Sequence, residues 1–475
     1  MRNQIGARGR GLTRTIDWPL VIIYLLLILI GWANIYSTAQ ATESSGLLDF
    51  GNRSGKQFFW ILAAIGLACL ILFVFNSRVY EGLALPIYIF AIGLLLAVIF
   101  LGVQVKGSRS WFEFGPIRFQ PAEISKITTS LMLAAVMSQL GYKITRIKDF
   151  VITALIILVP MGIIIMQSET GSALVYVGLI FMLYREGLSG WFIVMIGLAI
   201  LLFILTLTDS TFLALTVLLA IGSLCISLYS GRGRWWVLLG IPLLAGIAFL
   251  PEYMSIDSAT NVVLGVFAIF LLVSAYLSFR ERNRATQFSI IAIISGILLV
   301  FSVNYIFEDV LQEHQRNRIE ILLGMREDAL NDGFNVDRSK TAIGSGGLTG
   351  AGYMQGTETQ LKNVPEQSTD FIFCTIAEEW GFIGGSFVII LYVLLIWRII
   401  HNAERSRESF TRIYGYCVAS CIFMHLFVNI GMTLGIMPVI GIPLPLVSYG
   451  GSSLWAFTIM IFIFIALDRN ERKYF

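Results

Sequence analysis

Apolar runs of about 17 to 22 residues recur along the whole chain, each long enough to cross a hydrocarbon core of roughly 30 Å as a helix. Lipid offers no water to satisfy open backbone groups, so a chain of such runs has one economical fold class: an all-α polytopic integral membrane protein. Composition agrees. Of 475 residues, 57% are hydrophobic and 13% charged, against about 25% charged in an ordinary soluble domain. The spacing predicts spans near 17–37, 57–75, 84–104, 121–141, 150–167, 170–184, 191–208, 211–229, 236–252, 260–279, 288–306, 371–398, 412–434 and 451–468, about fourteen helices in a single membrane domain over 1–475. The first run is too long for a signal-peptide core and no small-residue cleavage site follows it, so it is expected to stay as the first helix.

Net charge is +3, with basic residues scattered over loops, which excludes a nucleic-acid surface and assigns the charge to topology. With the N-terminus cytoplasmic, alternate loops collect Arg78, then Lys143, Arg146 and Lys148, then Arg185, Arg232 and Arg234, Arg280 to Arg284, Arg405 to Arg412, and the tail arginines. Both termini are then inside, and the segment 308–369 is a large extracytoplasmic loop. One outward loop breaks the bias with Lys106, Arg109 and Arg118. Cations there either hold an anionic ligand such as a lipid diphosphate or are solvated loop charges. The five cysteines lie in or beside apolar runs at spacings that fit neither a metal site nor a disulfide framework, and read as packing residues.

Polar residues and helix breakers at membrane depth mark candidate chemistry, and four places stand out. The first runs from Gly107 through Arg109, Ser110 and Trp111 to Gln120, Pro121, Glu123 and Lys126; Pro121 suits the first turn of a helix, placing Glu123 near an interface. There a carboxylate can simply stabilise the helix dipole, and Trp111 can simply anchor at the interface. The second is the turn Gln167, Ser168, Glu169, Thr170, Gly171. The third spans the outer segment, with Arg316 and Arg318, glycines at 344–347, 350 and 352, and Thr369, Asp370 and Phe371; its charge predicts short amphipathic helices over the membrane face. Thr369 or Asp370 can cap the helix that follows, whereas Glu378 and Glu379 lie two turns deeper, where a charge costs on the order of 3 kcal/mol without a partner or a polar cavity. The fourth, from Asn429 to Ser453, is so rich in Gly and Pro that it predicts a re-entrant segment packed against protein.

Taken in order, these places resemble the motif set of the shape, elongation, division and sporulation (SEDS) family. The Gly107 to Glu123 stretch is similar to the family's early outer loop, and the Gln167 turn to its Gln-Pro-Asp-Leu-Gly turn. AIGSGG ending at Gly347, TDFIF from Thr369 and GIPLPLVSYGGSS from Gly441 are closer still. The last form looks more like the elongation branch than the division branch. Ser110, Ser168 and Glu169 depart from the pattern, and because the family usually has ten spans, the block 209–287 reads as about four inserted helices.

The resemblance implies a peptidoglycan glycosyltransferase that polymerises lipid II into glycan strands at the outer face of the bacterial cytoplasmic membrane, carrying the strand on undecaprenyl diphosphate beside a class B penicillin-binding protein. It implies Asp370 as the base or its positioning partner, Lys106, Arg109 and Arg318 as diphosphate ligands, and Trp111, Glu123 and Glu378 lining the substrate cavity. A divalent cation, Mg or Mn, can assist, although no ligand set demands a metal. Broken helices and intramembrane carboxylates also suit a lipid-precursor flippase. The same motifs are compatible with a septal polymerase and with a non-catalytic scaffold of the wall machinery.

Overall fold

The computed structural model describes residues 16–40, 51–75, 77–105, 108–115, 117–208, 211–229, 250–253, 255–281, 284–305 and 332–472, with a few isolated positions between them. Lys106, Arg318 and most of the expected span 236–252 lie outside the described residues. The chain divides into two compact units, Met1–Leu188 with Asp328–Phe475, and Ser189–Glu327.

The first unit holds α1 (Trp18–Gln40), α2 (Arg53–Phe73), α3 (Ser77–Leu101), strands β1 (Val103–Val105), β2 (Ser108–Phe114) and β3 (Ile117–Phe119), then α4 (Pro121–Met137), α5 (Ile147–Met166), α6 (Thr170–Val177) and α7 (Leu179–Arg185). The second unit is built on α8 (Trp191–Thr208), α9 (Thr211–Tyr229), α10 (Ile256–Glu281) and α11 (Arg284–Tyr305). Its helices bury Leu202, Leu215, Leu218, Phe267 and Ile293 in a core of their own. The chain then returns to the first unit with α12 (Asp332–Ser345), the single turn α13 (Thr357–Gln360), α14 (Ile372–Arg405), α15 (Ser409–Thr433) and α16 (Gly451–Arg472).

Every expected span except 236–252 overlaps described helix, with 170–184 divided into α6 and α7, and eight of the described helices are long and apolar enough to cross a membrane. The chain is a helical, multi-pass membrane protein. Its outward faces are apolar, as lipid requires: Phe90 and Phe100 of α3 and Phe382 and Trp397 of α14 are exposed. Inside, α15 and α16 are largely enclosed, with Tyr414, Cys417, Phe457 and Phe464 fully buried. Helix α12 is polar and packs on α14 and α15; Ser339 Oγ donates to the Thr433 carbonyl at 3.0 Å.

Two features were not expected from periodicity. Residues 103–119 form a three-stranded antiparallel sheet in which Glu113 faces Arg118 across β2 and β3. Helix α14 is also broken at Gly381, where φ is 66° and ψ is −167°. The glycine-rich run 344–352 docks on that break. Ala351 and Gly352 donate to the carbonyls of Glu378 and Glu379 at 2.9 and 3.1 Å, while Phe382 and Ile383 donate to those of Gly347 and Leu348 at 2.9 and 3.2 Å. The backbone groups freed by the break are thereby satisfied. The approach is so close that a Cβ at Gly346 would lie 2.0 Å from the Ala377 carbonyl oxygen, so the run serves chain crossing.

Candidate active site

The four polar places of the sequence meet in the first unit, joined in pairs by hydrogen bonds. Glu169, in the α5–α6 turn, joins the first to the second: its carboxylate accepts from Gln120 Nε2 at 2.7 Å and from Ser108 Oγ at 3.3 Å. Burial pushes the Glu169 carboxyl above the usual range, against hydrogen bonds from Ser110, Ser108 and Gln120. On β2 the neighbours part company: Ser110 is buried against this carboxylate while Arg109 is exposed, its backbone N–H donating to the Gln167 carbonyl at 3.3 Å. Trp111, opposite Val103, is half-buried. Arg118 is engaged by Glu113 at 3.2 Å on the exposed face of the hairpin.

Pro121 opens α4 as expected, and its first turn carries a buried ionic chain. Lys126 Nζ lies 2.8 Å from Glu123 Oε1 and 2.9 Å from Nε2 of His425 on α15; the three residues are 2%, 3% and 1% exposed. His425 Nδ1 is 3.1 Å from the Pro443 carbonyl oxygen. A carbonyl only accepts, so Nδ1 carries the proton and Nε2 accepts from the ammonium, which makes the imidazole neutral here. The chain therefore runs from the first place to the fourth. Glu123 Oε2 is buried without a hydrogen-bond partner.

The fourth place is the re-entrant segment 434–450, which turns at Gly435, Gly441 and Leu446 with positive φ. Its tip presses on α1 so closely that a Cβ at Gly31 would overlap the Val447 backbone. The third place lies along it. Tyr449 N–H donates to the Ser368 carbonyl at 2.8 Å, and Ser448 Oγ donates to the Thr369 carbonyl at 2.6 Å while accepting from the Leu444 N–H at 2.8 Å. Asp370 is half-buried, and the α-carbon of Gly441 lies against it: a Cβ there would sit 3.4 Å from Asp370 Oδ2. Arg53, exposed at the start of α2, donates to Ser368 Oγ at 2.7 Å and lies over the Tyr449 ring, 5.9 Å from its centroid. A half-buried carboxylate at the mouth of a polar re-entrant loop, with an exposed guanidinium bound two residues before it, can accept a proton and attract an anion.

Against this geometry, the profile of the cell cycle protein family that takes in FtsW, RodA and SpoVE matches residues 17–218 and 232–473. The chain belongs to this family. The SEDS protein is 30% identical to the peptidoglycan glycosyltransferase MrdB of Escherichia coli K12 over 440 residues, 92% of this chain and 89% of that one. It is 29% identical to the peptidoglycan glycosyltransferase RodA of Treponema pallidum, covering 96% of this chain and 98% of that one. A chain solved in a study of how a peptidoglycan synthase complex coordinates polymerization and crosslinking shares the fold, with a TM-score of 0.59 at 24% identity over 96% of this chain and 98% of that chain.

Not every expected residue of the SEDS protein meets at Asp370. Both Glu378 oxygens are taken up by the loop before it, accepting from the backbone N–H groups of Glu358 and Thr359 at 2.7 and 2.9 Å and from Thr359 Oγ1 at 2.5 Å. Glu378 thus caps α13, and Glu379 accepts from Ser37 of α1. Glu378 finds its partners in protein, whereas Glu379 Oε2 is buried without a hydrogen-bond partner. Among the described residues no three His, Cys, Asp or Glu side chains converge as a metal site would require.

Two residues that local sequence patterns did not single out belong to the site, Arg53 and His425; Asn429 opens the fourth place of the sequence. Arg53 and Lys56, three residues apart in the first turn of α2, form a basic pair between two apolar runs. His425 and Asn429 are polar residues one turn apart in an apolar helix, a signal of equal kind.

Proposed function

We propose that this SEDS protein polymerises lipid II into glycan strands at the outer face of the bacterial cytoplasmic membrane, as an elongation-type enzyme of the RodA kind. Family membership makes it a peptidoglycan glycosyltransferase; the branch, the substrate and the sidedness are the finer reading. The distribution of Lys and Arg supports cytoplasmic termini and an outward-facing Asp370.

In the proposed reaction the hydroxyl of one sugar attacks the anomeric carbon of another. The new glycosidic bond forms as the bond to the diphosphate breaks, the proton passes to the Asp370 carboxylate, and the electron pair leaves with undecaprenyl diphosphate. Arg109 and Arg53, both exposed, suit the departing anion, with Lys106 and Arg318 as further cations of the outer face. Trp111 offers an aromatic surface beside Arg109. Glu123 acts from within, fixing Lys126 and through it the re-entrant segment, and Glu378 holds the outer loop. No step is assigned to a divalent cation. A class B penicillin-binding protein as partner accords with the synthase complex in which a chain of this fold has been solved.

The observation that carries this reading is the seating of Asp370 on the re-entrant segment beside Gly441, within a cluster that gathers all four motif regions. Purified protein given labelled lipid II is expected to yield polymer, and Asp370→Asn to reduce the rate at least about a hundredfold, within the usual contribution of a general base, with an unchanged melting temperature. A fully active Asp370→Asn enzyme would overturn the assignment. Release of the lipid across a bilayer without polymer would point to a flippase instead.

A further inference from the structure

Asn429 sits on α15 one turn beyond His425 and is completely buried. Its Nδ2 donates twice, to the carbonyl of Asp370 at 2.8 Å and to the carbonyl of Ile442 at 2.6 Å. Both amide protons are therefore spent on backbone, one on each of the two segments that meet at the site. Ile442 lies between Gly441, whose α-carbon faces the Asp370 carboxylate, and Pro443, whose carbonyl is held by His425.

The geometry points to Asn429 as the positioning residue of Asp370: one carboxamide ties the peptide bearing the carboxylate to the strand of backbone that the carboxylate leans on. The inference rests on Asp370 being the proton acceptor. A role in packing alone explains the residue poorly. Its Oδ1 is buried with no hydrogen-bond partner, and an orphaned acceptor lowers stability, so a helix-packing position would be better served by an apolar side chain. What the carboxamide supplies, and an apolar residue cannot, is two donors diverging from one nitrogen towards two chain segments. Position 370 precedes the first residue of α14, where backbone is least constrained by the helix, and 441–443 is a turn without secondary structure. Each segment needs an external tether, and Asn429 tethers both to the same atom.

The test compares lipid II polymerisation by the purified full-length protein and its Asn429→Ala variant. Misplacement of a reacting group by about 1 Å can cost on the order of a hundredfold, so kcat is expected to fall by about that factor while KM for lipid II stays within about threefold. In the Asp370→Asn background, Asn429→Ala is expected to bring little further loss, because a tether acts only through the group it positions. A wild-type kcat, a loss confined to KM, or a double variant showing the full product of the two losses would overturn the inference. If Asn429→Ala aggregates, the isosteric Asn429→Asp, which loses the diverging donor pair, is expected to show the same kcat loss, and full activity there overturns it equally. The two readings fail separately: an active Asp370→Asn enzyme removes the base, whereas an inactive one beside a fully active Asn429→Ala enzyme removes the tether alone.

Discussion

Two buried carboxylates of the first unit, Asp17 before α1 and Glu123 on α4, are each held by basic side chains, yet they are built differently. Asp17 accepts from the Leu20 N–H at 3.2 Å, from Arg398 Nη2 at 2.8 Å, from Asn402 Nδ2 at 2.9 Å and from Arg472 Nη2 at 2.8 Å. Burial pushes its carboxyl up, but the combined donors hold it at about 2. The result is a staple that binds the start of α1 to the late turns of α14 and α16. Glu123 has one cation, shared with His425, and one oxygen without a partner. Its cluster ends on the backbone of the re-entrant segment. Where polar groups only have to hold helices together, donors accumulate until the charge is satisfied. Where they have to hold irregular backbone beside the chemistry, the cluster is left short of partners, at a cost in stability that the fold supplies elsewhere.

The largest test of this contrast is Lys126→Met. It strands the Glu123 carboxylate in an apolar interior and takes away the donor to His425, so a loss of about 3 to 5 kcal/mol is expected in thermal or chemical unfolding, together with loss of polymer synthesis. Asp17→Asn comes next, at about 2 kcal/mol, because several donors remain to engage the amide. Its specific activity is expected to stay within a few fold of wild type, since the staple lies at the end of α1 opposite to the site. The sign with pH follows from the depressed carboxyl: the ionic contribution is full above 3.8 and disappears as pH falls towards 2. An Asp17→Asn protein that is folded but inactive would erase the distinction between staple and site.

Glu169→Gln is the smallest effect and has the opposite sign. The Glu169 carboxyl is raised above 4.5 on folding, so the folded protein keeps its proton longer than the unfolded chain does, and stability declines as pH rises from 4.5 through the raised value. The amide removes that decline. Melting curves at pH 4 and pH 7.5 are expected to show a gain for the variant of about 1 kcal/mol only at the higher pH; an equal shift at both would show that charge is not the cause.

Much of this was legible in the chain. Run length and apolar content placed the helices, Pro121 opened α4, and Gly and Pro from 435 to 445 announced the re-entrant turn, because each is a local consequence of the residue concerned. The partners of Glu378 and Glu379 were not legible: loop backbone holds both oxygens of Glu378, and Ser37 holds one oxygen of Glu379. The hairpin at 103–119 escaped notice because its strands are three to seven residues long, too short for a clear alternation.

By itself, then, the sequence determined about where the apolar helices lie, which stretches cannot face lipid, and which family the motifs belong to, since these depend on neighbours within a turn or two. Only the tertiary structure decided that Lys126 meets His425, 299 residues away, and that one amide of α15 holds both Asp370 and Ile442. Hydrogen-bond partners across such separations are set by how helices pack, and helix packing is chosen by the summed contacts of many side chains, so no local pattern carries that information.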